Sequence, residues 1–191
     1  VYFIDGKPQQ RGKFMNNTKG TSSTAAKFAS TFALGGTTFF SIDSNYANHL
    51  IGKSLTALDY SELKRGVTQT VSVKAPYIYA EDNWQDDMEL GFAAVYSALN
   101  NQFKTTQDRG EYGGLINYMI DSAWNFSTKE PITLWLGADT ANHYQWYPFI
   151  NLGHYELAKQ LKDKRRDTII GFYKEGINRV WNKASQNAFY R

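Results

Sequence analysis

The stretch A-E-D-N-W-Q-D-D-M-E-L, residues 80–90, places five acidic side chains around one tryptophan just ahead of an apolar run. Acids in this density suit a catalytic acid cluster, a metal site, a sugar-binding edge or the charged start of a helix. Carboxylates at 81, 82, 86 and 87 would supply oxygens to calcium, but the alternating Asp/Asn pattern and glycine turn of an EF-hand loop are missing. Asp86 and Asp87 at the head of an amphipathic helix would complement its dipole and cap open amides. Trp84 beside Asp86 supports the sugar reading. An indole offers a flat apolar platform to a pyranose ring, and a neighbouring carboxylate accepts from its hydroxyls.

A second aromatic group, His143, Tyr144, Trp146 and Tyr147, lies just before another apolar run. It reads either as a hydrophobic staple with His143 an ordinary loop histidine, or as a further sugar platform. His49 and His154 fall inside helical patterns with no partner at metal-ligand spacing, and both read as structural. No G-x-S-x-G turn and no G-x-x-x-x-G-K-[ST] loop occurs, which argues against a serine triad and nucleotide chemistry. Gly35-Gly36 and Gly113-Gly114 are expected at helix edges, as caps. The absence of cysteine removes disulfides, thiolate metal sites and cysteine nucleophiles.

The net charge of +3 comes from 21 basic and 18 acidic residues scattered along the chain, apart from a short basic run at Lys162, Lys164, Arg165 and Arg166. That is no nucleic-acid footprint, and no apolar run approaches a membrane span. Aromatic residues make up 16% of the 191 residues, which serves a heavy core and sugar platforms equally well. Asn16-Asn17-Thr18 and Asn125-Phe126-Ser127 match the glycosylation acceptor pattern.

Six segments must position these groups, all with helical periodicity. They run from about Ser23 to Leu34, Ser44 to Leu63, Asp86 to Asn101, Tyr112 to Trp124, a segment starting near Pro148, and Arg166 to Ala184. In the first, Ala25, Phe28, Ala29, Phe32 and Ala33 form the stripe expected to face the core. Strands are scarce, with at most a short edge hairpin in Val67 to Val73. The pattern predicts an all-α protein of paired antiparallel helices. Two long connections, 64–85 and 125–147, hold the aromatic and acidic clusters, so function is expected at that end of the helices.

Three blocks carry a family resemblance. T-S-S-T-A-A-K-F-A-S with F-F-S-I-D-S-N-Y-A-N-H-L (21–50), W-Q-D-D-M-E-L-G-F-A-A-V-Y (84–96) and W-Y-P-F-I-N-L-G-H-Y-E-L-A-K (146–159) resemble, in this order, the middle of the catalytic domain of glycoside hydrolase family 9, the cellulase and endoglucanase family. The resemblance implies that the paired helices form part of a six-hairpin α/α barrel. It implies an inverting hydrolase of β-1,4-glucan or a related β-linked polysaccharide, with an extracellular, periplasmic or cell-surface setting. Asp86 matches the first acid of the family's Asp-Glu pair, near the cleft, while Asp87 replaces the glutamate. Trp146 matches a cleft-lining tryptophan, and Trp84 stands where members place an aromatic beside that acid. Tyr147 and His143 join the expected sugar-binding set.

Some members bind calcium through the acid matched by Asp86. The acids that share the ion there are replaced here by Thr18, Lys19, Gly20, Thr21 and Ser22, so no cofactor is expected. The family's D-A-G-D motif and its glutamate acid are likewise not found among these residues. The chain is therefore expected to be an internal portion of a larger catalytic domain, with the rest of that domain and a β-linked glycan as its partners and neither nucleic acid nor membrane. The alternatives are a non-catalytic carbohydrate-binding helical module, or a helical scaffold whose aromatics are all buried.

Overall fold

The computed structural model describes residues 18–68, 83–129, 152–186 and 188. Among them are six helices and no strand: α1 (Ser22–Phe39), α2 (Ser44–Leu63), α3 (Gln85–Gln102), α4 (Thr106–Ser127), α5 (Leu152–Gln160) and α6 (Lys164–Ser185). Short links join α1 to α2, α3 to α4 and α5 to α6, which folds each pair back on itself as an antiparallel hairpin. The described residues bear out the all-α reading.

Local chemistry sets the helix ends. Asp43 caps α2, its Oδ1 accepting from the Tyr46 amide at 2.9 Å, and Asp163 caps α6 by accepting from the Arg165 amide at 2.9 Å. The start of α1 is satisfied differently. Thr21 makes no side-chain cap; instead the Thr21 and Ser22 amides donate to the carbonyls of Lys64 and Gly66 at 2.8 and 3.1 Å. The chain leaving α2 thus closes over the open amides of α1. Gly66 turns there with φ of 145°, and a Cβ on Gly20 would overlap its backbone. Val67 and Thr68 belong to this closure, with the Val67 carbonyl accepting from Lys19 and Gly20. The remainder of the expected edge hairpin lies outside the described residues.

Two helices extend well beyond their expected limits. α1 continues past Leu34 because Gly35-Gly36 lies within it rather than capping it. A Cβ on Gly36 would stand 2.6 Å from Ile51 Cγ1, so this glycine serves the close contact of α1 with α2. α4 begins at Thr106 and carries Gly113-Gly114 in its interior, where an added Cβ would meet nothing. Each glycine costs about 1 kcal/mol relative to alanine. The buried stripe Ile116, Met119, Ile120, Ala123 and Phe126 offsets that by packing the helix.

α3 lies at the centre, in contact with α1, α2, α4 and α5. Its Met88, Phe92, Ala93, Val95 and Leu99 are buried in one core with Ala26, Ala29 and Ala33 of α1, Leu58 of α2, Leu157 of α5 and Ile169 of α6. The core stripe of α1 is therefore its small residues. Phe28, expected within it, is 54% exposed; alanines let α1 approach two neighbours closely, and there is no room for a phenyl ring between them. On α6, Ile169 is buried and Phe172 and Tyr173 pack on the core, whereas Ile177 and Trp181 stand open to solvent. No helix of the described residues is long and apolar enough to cross a membrane.

Candidate functional site at the head of the central helix

Trp84 occupies the cap position of α3, and its carbonyl accepts from the Met88 amide at 3.2 Å to close the first turn. Its indole is partly buried. The ring meets Phe126 of α4 edge-on, centroids 5.9 Å apart and planes at 68°. Phe126 is held in turn by a stack on Phe92 at 5.7 Å, with Arg65 and Lys129 over its ring at 5.6 and 5.4 Å. The indole is thus anchored along one edge by a chain of rings running into the core. Tyr46, Tyr60, Tyr118, Tyr155 and Trp181 are exposed, which goes against a scaffold with every aromatic buried, while Trp84 is partly buried and Trp146 lies outside the described residues.

Asp86 and Asp87 fall in the first turn of α3, as the sequence predicts. Asn83 Oδ1 accepts from the Gln85 amide at 3.1 Å, and the Asp87 carboxylate, nearly buried, meets Lys27 Nζ of α1 at 3.0 Å. Asp87 therefore ties α3 to α1. That carboxylate is thus taken up by a lysine, and among the described residues there is no group of three His, Asp or Glu that could hold a metal ion.

One turn further, α3 buries an acid that sequence reasoning did not single out. Glu89 and His154 of α5 are both wholly inaccessible to solvent, with His154 Nδ1 at 2.7 Å from each carboxyl oxygen. Burial, and then the nearby Asp86 charge, push the Glu89 carboxyl well above the usual carboxylate range. Phe172 and Tyr173 of α6 enclose the imidazole, with ring centroids at 5.6 and 6.2 Å. Burial first, and then the Glu89 and Tyr155 charges, raise the Tyr173 hydroxyl above its ordinary value. Gly153 makes the contact possible, since a Cβ there would lie 2.9 Å from Glu89 Cδ. His154, read from sequence as lacking a ligand partner and structural, has this carboxylate partner 65 residues away. The available signals were an acid set among Met88, Phe92 and Val95, and a glycine directly before a helical histidine.

The structure therefore places Trp84 and Asp86 together at the head of α3, with a buried acid–imidazole pair beneath them. Trp146, Tyr147 and His143 lie outside the described residues, as do Glu81 and Asp82. A search of curated proteins gives no match, nor does one of solved structures. The glycosyl hydrolase family 9 model matches residues 4–188. That match covers nearly all of a chain folded as helical hairpins, and the chain belongs to glycosyl hydrolase family 9, an α/α-barrel family acting on carbohydrates.

Proposed function

We propose that the chain is part of an inverting hydrolase of β-1,4-glucan or a related β-linked polysaccharide, with Trp84, Asp86, Trp146, Tyr147 and His143 on its sugar-binding cleft. The observation that carries this reading is the head of α3. An indole fixed along one edge by Phe126 stands two residues before a carboxylate in the first helical turn. An anchored ring stacks on a sugar face without first losing rotamer freedom, and an adjacent carboxylate orients the sugar through its hydroxyls. An inverting hydrolysis needs one carboxylic acid to protonate the leaving oxygen and a second, distant carboxylate to activate water on the opposite face of the ring. In this reading both come from the rest of the catalytic domain, and the residues named here bind and orient the glycan. No cofactor is assigned.

The test is hydrolysis of soluble β-glucan by the full-length parent, comparing wild type with Trp84→Ala and Trp146→Ala. Each substitution is expected to weaken sugar binding by about 1 kcal/mol or more, the scale of one aromatic contact. Unchanged kinetics in both variants would remove these rings from the cleft. Tight glycan binding by a parent that cleaves nothing would favour the non-catalytic carbohydrate-binding module instead.

A further inference from the structure

We propose that Glu89 and His154 are positioning residues of the glycan site: a fully buried carboxyl–imidazole pair that seats α5 on the first turns of α3 and limits the pH range in which Trp84 and Asp86 are correctly held. This inference rests on the reading that Trp84 and Asp86 face the sugar.

The geometry leaves the pair few states. Both side chains are at 0% exposure, and one ring nitrogen stands 2.7 Å from both carboxyl oxygens. Two arrangements carry no net charge: a protonated acid against a neutral ring, or a carboxylate against an imidazolium. They contain the same number of protons and interconvert by one transfer along the hydrogen bond. Removing one proton leaves a lone negative charge in the core, and adding one leaves a lone positive charge. Both are costly away from water.

The charged and titratable neighbours make the loss of a proton the consequential step. On α3, Asp86 stands one turn before Glu89 on the same side, where charges interact. On α6, Tyr173 borders the imidazole, and Tyr155 of α5 lies near it. On α1, Lys27 is taken up by Asp87. A negative pair would thus repel Asp86 directly. It would also push apart α3 and α5 at a contact where Gly153 leaves no slack, and where the next links are buried Leu157 and the bond from Gln160 Nε2 to Ser97 Oγ at 3.2 Å. A pair that merely filled the core would tolerate neutral replacement with no change in how the site responds to pH.

The experiment is a pH titration of the wild-type chain followed by nitrogen-15 NMR of its histidine rings and tryptophan indoles. With three histidines and five tryptophans in the chain, His154 is assigned against exposed His49 and Trp84 by a Trp84→Phe variant. The His154 ring and the Trp84 indole are expected to shift together in one step, above the ordinary range of a free imidazole. A His154 ring that titrates within that range, or a Trp84 signal that does not move with it, overturns the proposal. In the full-length parent, Glu89→Gln keeps the shape and the hydrogen bond but removes the proton. It is expected to shift the basic limb of kcat/KM to higher pH by about one pH unit or more, a tenfold change in proton affinity, with the KM at the pH optimum within about twofold of wild type. A limb that stays in place overturns the proposal. A parent without hydrolysis defeats the enzyme reading alone, because the NMR titration still decides the role of the pair.

Discussion

Glu89 gives the chain a stability that depends on pH in a definite direction. Its carboxyl is raised in the folded state from an ordinary value of 4.5, by burial and by Asp86. A raised carboxyl favours the folded state fully below pH 4.5, and that contribution is lost as pH climbs through the folded value. Each tenfold difference in proton affinity between folded and unfolded chains is worth about 1.4 kcal/mol. Urea unfolding at a series of pH values from acid to mildly alkaline is therefore expected to show a steeper decline for wild type than for Glu89→Gln. Parallel declines would mean that Glu89 holds its proton no more tightly in the folded chain than in the unfolded one, and would count against the raised carboxyl. The sequence made Trp84 and Asp86 legible because adjacent residues share one helical turn. It could not reveal the Glu89–His154 bond, which requires knowing that α5 returns to α3 and that Gly153 lets it come close.

At the scale of the elements, periodicity located every helix of the described residues, with the expected start near Pro148 outside them, and α2 matches its expected limits at both ends because Asp43 and the Lys64 turn are local signals. Misreadings occur where tertiary contact overrides local preference. Gly35-Gly36 looks like a cap, but lies inside α1 because α2 packs there. Phe28 looks like core, but alanines carry the face of α1. The α1–α3 contact is close at Gly91, where a Cβ would come within 3.2 Å of the Ala26 carbonyl oxygen. Ala26→Val adds two methyl groups at that crossing and is expected to cost about 1–3 kcal/mol, the usual scale of overpacking. Phe28→Ala removes a ring that is 54% exposed and is expected to stay within about 0.5 kcal/mol, the range of surface changes. Denaturant midpoints of the two variants decide between small-residue and aromatic packing. A larger loss for Phe28→Ala would restore the aromatic stripe.

For the whole molecule, the candidate site is built on the most heavily packed part of the described residues. α3 touches four other helices, and its Phe92 lies between Phe126, stacked at 5.7 Å, and Tyr118, edge-on at 5.9 Å. Opening α3 therefore means dismantling the core, whereas the outer part of α6, with Ile177 and Trp181 exposed, loses little when it frays. Amide hydrogen exchange is expected to be slowest in 88–99 and to approach the free energy of global unfolding there. It should be fast beyond 176, with 152–160 in between because α5 is held to α3 chiefly through Glu89, Gly153 and Leu157. Raising the pH until the pair loses its proton should lower protection in 152–160 more than in 116–126 of α4, once intrinsic exchange rates are corrected. The reason is that, among the described residues, α4 meets α3 through rings, aliphatic side chains and the exposed hydrogen bond from Arg109 to Asn100, with no buried charge. Equal loss in α4 and α5 would show the core softening as one body, and would leave the pair no special hold on the start of α3.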